Sequence, residues 1–241
     1  MSQSLHTQVV ESLGRKIVRG ELSRGAVVRA EVLESEYGVS RGVIREALRS
    51  LALLGLTESV KSVGVRVRDR IHWNPYAREI IRWRLAENDL GAQLRALTEL
   101  RSAVEPVAAA LAAQHAPDEL SGRLMEIAAR MRTVGRSGDL HTFEALDIEF
   151  HALVLVGSGN EMFAHLDIPI AEVLKGRTEL GLMPERPHEE ALQWHVDVAD
   201  AIQGRRPREA REAMDKIVER TIAEIEQIWS DVPRIYPPAD A

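Results

Sequence analysis

Asp147 and His151 stand four residues apart in LDIEFHALVL, and His195 lies further on in ALQWHVDVADAI. Residues at i and i+4 share one face of a helix, so this carboxylate and imidazole can meet one ligand. One Asp and two His drawn from two helices make a plausible divalent-cation site with positions left open for water or a ligand. The same spacing occurs in surface and capping pairs, and spacing alone leaves both readings open. Arg101, in TELRSAVEP, lies on a helix whose other side is strongly apolar. It is either a solvated or salt-bridged cation or a clamp for an anion, since a guanidinium can hold a carboxylate through two parallel N–H groups. Glu149 and Gln193 are close enough in sequence to these residues to meet the hydroxyls of a ligand. His115, His141, His165 and His188 fall near helix ends or loops and read as surface residues.

A second constellation lies near the other end. In AEVLESEYGVSRGVIREALRSLAL, residues 30–53, Arg41, Arg45 and Arg49 form an i, i+4, i+8 row. Ser40 can cap the helix that carries them by accepting from its free N–H groups. Ala47, Leu48, Leu51 and Leu54 can pack inward while the arginines point away. Arginine is well shaped to grip guanine edges or phosphates in a major groove. The chemistry is that of a DNA recognition helix.

The elements that position these groups follow from composition and period. The chain has 241 residues, 45% hydrophobic but only 4% aromatic, which favours aliphatic, Ala-rich helical cores. It has no cysteine, so any metal must sit on His and carboxylates. The first residues read as an amphipathic helix and not as an apolar leader. No apolar run approaches the roughly 18 residues that span a membrane, and a cytoplasmic protein is expected. The net charge of −6 is uneven. Residues 1–70 hold 12 Lys and Arg against 8 Asp and Glu, whereas residues 71–241 hold 19 against 29. A basic module suited to phosphates precedes a larger acidic one.

Leu5, Val9, Leu13 and Ile17 mark a first helix, Val27-Val28 a short strand, and residues 30–53 two helices joined at Gly38-Val39-Ser40. Residues 56–60 and 65–68 then read as a β-hairpin with Lys61 and Gly64 at its tip. This order predicts a winged helix-turn-helix over 1–70. A linker with a junction helix is expected over 71–88, an all-helical domain over 89–232 and a flexible tail over 233–241. Within the second domain, apolar periodicity predicts helices over 90–115, 117–134, 139–156, 160–180, 189–203 and 207–230. Pro106 predicts a kink or boundary inside the first of these. Loop 181–188, GLMPERPH, is irregular enough to serve as a lid.

VVESLGRKIVRGELSRGAVV and LESEYGVSRGVIREALRSLALLGL resemble the DNA-binding domain of GntR-family bacterial regulators. LTELRSAVEPVAAALAA, FEALDIEFHALVLVGSGN and QWHVDVADAIQGRRPREAREAM resemble the helical effector (FCD) domain of the branch named after the fatty-acid regulator FadR. The junction WNPYAREIIRWRLAEN is similar to regulators of sugar-acid operons of the galactonate and gluconate type. The resemblance implies a mainly α protein, a winged helix-turn-helix followed by an all-α helical bundle. It also implies a divalent cation, zinc first, held by an Asp and three His. Asp147, His151 and His195 fall on three of those positions and Ile217 on the fourth, so the set is incomplete. Arg101 matches an inward Arg that helps to bind the effector carboxylate. Glu31 stands where many relatives carry an Arg, while Arg41 and Arg45 match base- and phosphate-contacting positions.

The sequence therefore points to a ligand-responsive transcriptional regulator, a homodimeric repressor on a palindromic operator in double-stranded DNA. The expected DNA contacts are Arg29, Ser40, Arg41, Gly42, Arg45, Arg49, Lys61 and Gly64. The expected metal ligands are Asp147, His151 and His195, and the expected effector contacts are Arg101, Glu149 and Gln193. The effector is expected to be a small sugar acid. Two other readings are a metal-free pocket for an organic acid or acyl thioester, and a metal-dependent enzyme using the open Asp/His/His site.

Overall fold

The computed structural model describes residues 4–87 and 89–234. The chain divides into two compact units, the first running to Leu90 and the second spanning Gly91–Arg234.

The first unit contains α1 (Leu5–Val18), β1 (Val27–Val28), α2 (Ala30–Tyr37), α3 (Arg41–Leu53), β2 (Thr57–Val60), β3 (Gly64–Val67) and α4 (Arg78–Ala86). Ser4 Oγ accepts from the Thr7 N–H to start α1, and Ser40 Oγ accepts from the Val43 N–H to start α3. Each such cap is worth about 1 kcal/mol. Between α2 and α3 the chain turns at Gly38, whose φ of 63° lies in the left-handed region that glycine enters without steric cost. The strands form an antiparallel sheet in the order β1-β3-β2, with Val27 opposite Arg66 and Val60 opposite Gly64. Val9, Leu13, Ile44, Ala47, Leu51, Leu56 and Val67 close one aliphatic core beneath α3 and the hairpin.

The 71–88 stretch, expected as a linker with a junction helix, is built into this unit. The Asn74 N–H donates to Leu54 O at 2.9 Å, and α4 buries Ile80 and Trp83 in the same core. Trp83 Nε1 donates to Glu11 Oε2 at 2.8 Å. The outer edge of its six-membered ring lies against Gly14, where an added Cβ would stand 2.2 Å from the indole. The amphipathic face of a short helix thus completes a core that three helices and a small sheet leave open.

The second unit contains α5 (Leu90–His115), α6 (Asp118–Ser137), α7 (Leu140–Gly157), α8 (Glu161–Ala164), α9 (Asp167–Glu179), α10 (Glu189–Gln203) and α11 (Pro207–Ile225). α6 packs on α7 and α10, α10 on α11, and α7 on α9. The Ala108–Ala113 face of α5 lets backbones approach closely and shares one core with Leu124, Phe150, Val198 and Met214. Of the kink or boundary expected at Pro106, the boundary is excluded: α5 carries this proline inside one continuous helix. The lost hydrogen bond costs about 3 kcal/mol, which the buried alanine face beyond it offsets. The helix expected over 160–180 is instead two, α8 and α9. Pro169 explains the break: in the first turn of α9 its missing N–H is one the helix leaves unbonded, whereas in a continuous helix its ring would strike the carbonyl of His165.

The tail expected over 233–241 lies outside the described residues from 235 onward, and Pro233 and Arg234 are tied down. Arg95 donates to Val232 O at 2.6 Å and Pro233 O at 2.9 Å, and Arg234 pairs with Glu99 at 2.7 Å. These contacts clasp the end of the unit to the first turns of α5. No helix among the described residues is long and apolar enough to cross a membrane.

Candidate functional site

Asp147 and His151 project from one face of α7, and α10 brings His195 to them. Asp147 Oδ1 lies 3.1 Å from His195 Nε2 and 3.5 Å from His151 Nε2. All three residues are buried, and their ligand atoms lie within 4.8 Å of one another. Each imidazole is oriented from behind. His195 Nδ1 donates to Ala191 O at 2.7 Å, and His151 Nδ1 lies 2.8 Å from Glu105 Oε2. In neutral rings so held, the Nε2 lone pairs converge beside the carboxylate. Phe150 sets its ring edge-on to both imidazoles, with centroids 5.8 Å and 5.2 Å away.

This donor set fits a divalent cation. Ligand atoms arranged tetrahedrally at about 2.1 Å from zinc stand about 3.4 Å apart, close to the separations between Asp147 and each imidazole. A hydrogen-bonded second partner of the kind seen at His195 Nδ1 is what holds a ligating histidine in place, and Glu105 stands at ion-pair distance behind His151. Ile217, on α11, lines the same cavity and has no donor atom to offer. Among the described residues the cluster therefore offers three donor atoms beside the cavity.

The electrostatics around the cluster are tightly coupled. Burial would push the His151 imidazole down, but the Glu105 charge and the contacts with Asp147 and Glu105 outweigh it and raise its pKa to about 9. Burial would likewise raise Glu105, yet Arg101 and His151 beside it bring its carboxyl down to about 2. Asp147 is pulled well below the ordinary carboxylate range, its hydrogen bonds with His151 and His195 overcoming burial.

The rest of the cavity is lined by Arg101 from α5, Arg177 from α9, Arg220, Thr221 and Glu224 from α11, and Met183, Pro184, Pro187 and His188 from the 181–188 loop. Arg101 is held by Glu105 through a fork, Nε to Oε1 at 2.7 Å and Nη2 to Oε2 at 3.2 Å, while its Nη1 is buried without a partner. Arg177 Nη2 donates to Glu224 Oε2 at 2.9 Å, and its Nε is also buried without a partner. Arg220 shares the same Glu224 at 2.9 Å.

Two expected effector contacts do not reach this cavity. Glu149 pairs with Arg123 at 2.8 Å, and Gln193 bonds to Arg132 and Asp197. The reason is helical geometry: two residues advance a side chain about 200° around the axis, so neighbours at i+2 of Asp147 and i−2 of His195 face away. Glu105 was missed, though its i+4 spacing from Arg101 on an apolar helix was a usable signal. Arg220 and Glu224 offered the same i+4 spacing on α11, whereas Arg177 carried no such signal. His188, read as a surface residue, is exposed and also borders the cavity.

In the first unit the residues read as DNA contacts lie on α3, at its capped start and on the hairpin. Arg41, Gly42, Arg45 and Arg49 are exposed along α3, and Arg29 is exposed just ahead of α2. Arg41 lies 3.3 Å from Glu31, and Arg49 pairs with Glu46 at 2.7 Å. Arg45 has no carboxylate partner among the described residues. It borders a groove with Arg49, Thr57, Ser59 and Val65, between α3 and the hairpin. Lys61 is exposed at the tip, and Gly64 has a φ of 125° there.

Comparison with known proteins finds two family models. Residues 5–67 match the one described as bacterial regulatory proteins, gntR family, and residues 96–220 match the FCD domain. The chain is 33% identical over 201 residues to the galactonate operon transcriptional repressor of Escherichia coli K12, covering 81% of this chain and 85% of that one. It is 30% identical over 216 residues to a probable D-xylose utilization operon transcriptional repressor of Paenarthrobacter nicotinovorans, covering 86% and 83%. A solved structure of Lar, from Listeria monocytogenes, shares the fold with a TM-score of 0.58 at 16% identity, over 95% of this chain and 99% of that one.

Proposed function

The chain belongs to the gntR family of bacterial regulatory proteins and carries an FCD domain, and from that premise we propose that it represses a sugar-acid operon and leaves its operator when a small hydroxy acid enters the Asp147–His151–His195 cavity. Members of this family are DNA-binding transcriptional regulators, so the chain is a regulator and not an enzyme.

The observation that carries the effector reading is the convergence of Asp147 Oδ1 and two imidazole Nε2 atoms in a cavity that Arg101 also lines. Asp147, His151 and His195 would hold a divalent cation, zinc first, and the bound ion supplies Lewis acidity toward a carboxylate oxygen. Arg101, fixed by its fork to Glu105, keeps Nη1 free to donate to the same carboxylate. The 181–188 loop closes over the acid and excludes water. A relative that represses a galactonate operon supports a sugar acid as the ligand, and a second, a probable D-xylose utilization operon repressor, supports sugar chemistry more broadly.

On the DNA side, α3 lies in the major groove, with Arg45 at base edges and Arg41 at the phosphates or bases beside them. Lys61 meets the backbone from the wing. A homodimer places two such units on a palindromic site. Effector binding releases DNA to the extent that the acid prefers a dimer whose reading heads are mis-set for the operator.

A second reading, an organic-acid pocket without a cation, is favoured by one observation. His151 lies between two carboxylates, Nδ1 2.8 Å from Glu105 and Nε2 3.5 Å from Asp147, so an imidazolium there would balance the cluster without a cation. Metal analysis of the purified protein together with a gel shift against sugar acids tests both. About one divalent ion per chain is expected, with release of operator by an acid and loss of that release in Asp147→Ala. Metal-free protein whose response survives Asp147→Ala would replace the first reading by the second.

A further inference from the structure

The charges lining the cavity set a requirement on the ligand. With the imidazoles neutral, as ligation of a cation requires, Arg101, Arg177 and Arg220 are matched by Glu105, Asp147 and Glu224. A divalent cation on Asp147, His151 and His195 adds two positive charges to a place from which water is largely excluded. A monocarboxylate removes only one of them, and an uncompensated buried charge is costly.

The unmet hydrogen-bonding capacity is also double, and it lies on two different helices. Arg101 Nη1, on α5, has no acceptor near the cluster. Arg177 Nε, on α9, has none either, and both side chains are more than nine-tenths buried. Glu224 alone serves both Arg177 and Arg220, so one carboxylate is divided between two guanidinium groups. Arg177 holds its proton less firmly than an ordinary arginine, first because it is buried and next because the Arg101 charge is near. Arg101 and Arg177 thus both line the cavity from different helices, each with a buried N–H that lacks a partner.

We propose that the effector is a dianionic hydroxy acid, with one carboxylate at the cation and Arg101 and a second anionic group at Arg177 and Arg220. This rests on the sugar-acid reading above and sharpens it. Two negative charges meet the requirement, as in a sugar acid with a terminal carboxylate or with a singly ionised phosphate, and a simple aldonate supplies only one.

Titration calorimetry on the zinc-loaded full chain tests this with gluconate, glucarate and 6-phosphogluconate, and with galactonate and galactarate. At least one dianion is expected to bind roughly tenfold or more tightly than the aldonate of the same configuration. Which dianion wins assigns the second group as carboxylate or phosphate. Arg177→Gln is expected to bring the ratio to about one while zinc content and aldonate affinity stay near wild type. Arg220→Gln, on a more exposed side chain, repeats the readout if the buried variant does not fold. An aldonate binding as tightly as both its dianionic counterparts overturns the proposal, as does an equal weakening of mono- and dianion by Arg177→Gln. Aldonate binding without preference leaves the sugar-acid function standing, whereas no binding by any of these acids removes that function and this inference together.

Discussion

Glu105 has the least forgiving position of any single side chain in the second unit. It is fully buried, grips Arg101 through both oxygens and steadies His151 from behind. Glu105→Gln leaves Arg101 buried without a counter-charge, and a loss of about 3–5 kcal/mol in urea unfolding is expected. The pH dependence has a definite sign. Folding lowers the Glu105 pKa from 4.5 to about 2, so its contribution is fully present above the ordinary value and disappears as pH falls toward 2. Wild-type stability should therefore fall over that acid window more steeply than that of the variant; parallel curves would contradict the assignment. Ile217 gives a complementary test. Ile217→His adds a fourth donor and should tighten zinc binding roughly tenfold or more in chelator competition, and an unchanged affinity would place residue 217 away from the ion. At this scale legibility follows helical geometry. Asp147 and His151 were readable because i+4 spacing fixes a shared face, and Glu149 and Gln193 failed because i±2 spacing forbids it. Arg177 reaches the cavity only through the packing of α9 on α7, which no local pattern encodes.

At the scale of elements, α3 and the hairpin act as one surface, with Arg45 in the groove between them. Arg45→Ala should cost about 1–3 kcal/mol of specific operator binding in a gel shift, and intact binding would move the reading head elsewhere. Lys61→Ala should weaken binding to all sequences alike and reduce the salt slope by about one, whereas a change in base preference would give the wing a different role. The pairing of Arg41 with Glu31 means that part of the reading surface must exchange a carboxylate for a phosphate or base on docking. α4 offers a test of packing. Gly14→Ala sets a methyl against the indole of Trp83, whose Nε1 is anchored to Glu11 and cannot swing away. A loss of about 1–3 kcal/mol in thermal unfolding is expected, and a neutral effect would mean that α4 shifts freely. Helices and wing were visible from period and turn chemistry. The role of α4 was not, because a nine-residue amphipathic helix after a proline reads equally as a connector or as the last piece of a core.

Across the whole molecule, two units of opposite charge share one chain. The basic 1–70 stretch answers to phosphates and the acidic remainder is kept off them, so the net charge of −6 misleads about partners. On the proposed function the two units answer to different ligands, which makes their contributions separable. Zinc should raise the unfolding temperature of wild-type protein and chelator should lower it, with Asp147→Ala insensitive to both. The fold class was open to inspection because aliphatic, cysteine-free composition and long helical periods leave few alternatives. The pairing of helices that builds the cavity was not, since it depends on contacts far apart in sequence.

The clasp between Arg95, Glu99 and residues 232–234 makes the second unit a closed loop of chain. α11, which carries Arg220 and Glu224 into the cavity, leads directly into that clasp. The carboxyl-terminal side of this protein is therefore no neutral handle. A stop codon placed before Val232 removes these contacts beside the helix that lines the cavity, so an altered response in such a strain would reflect the lost clasp.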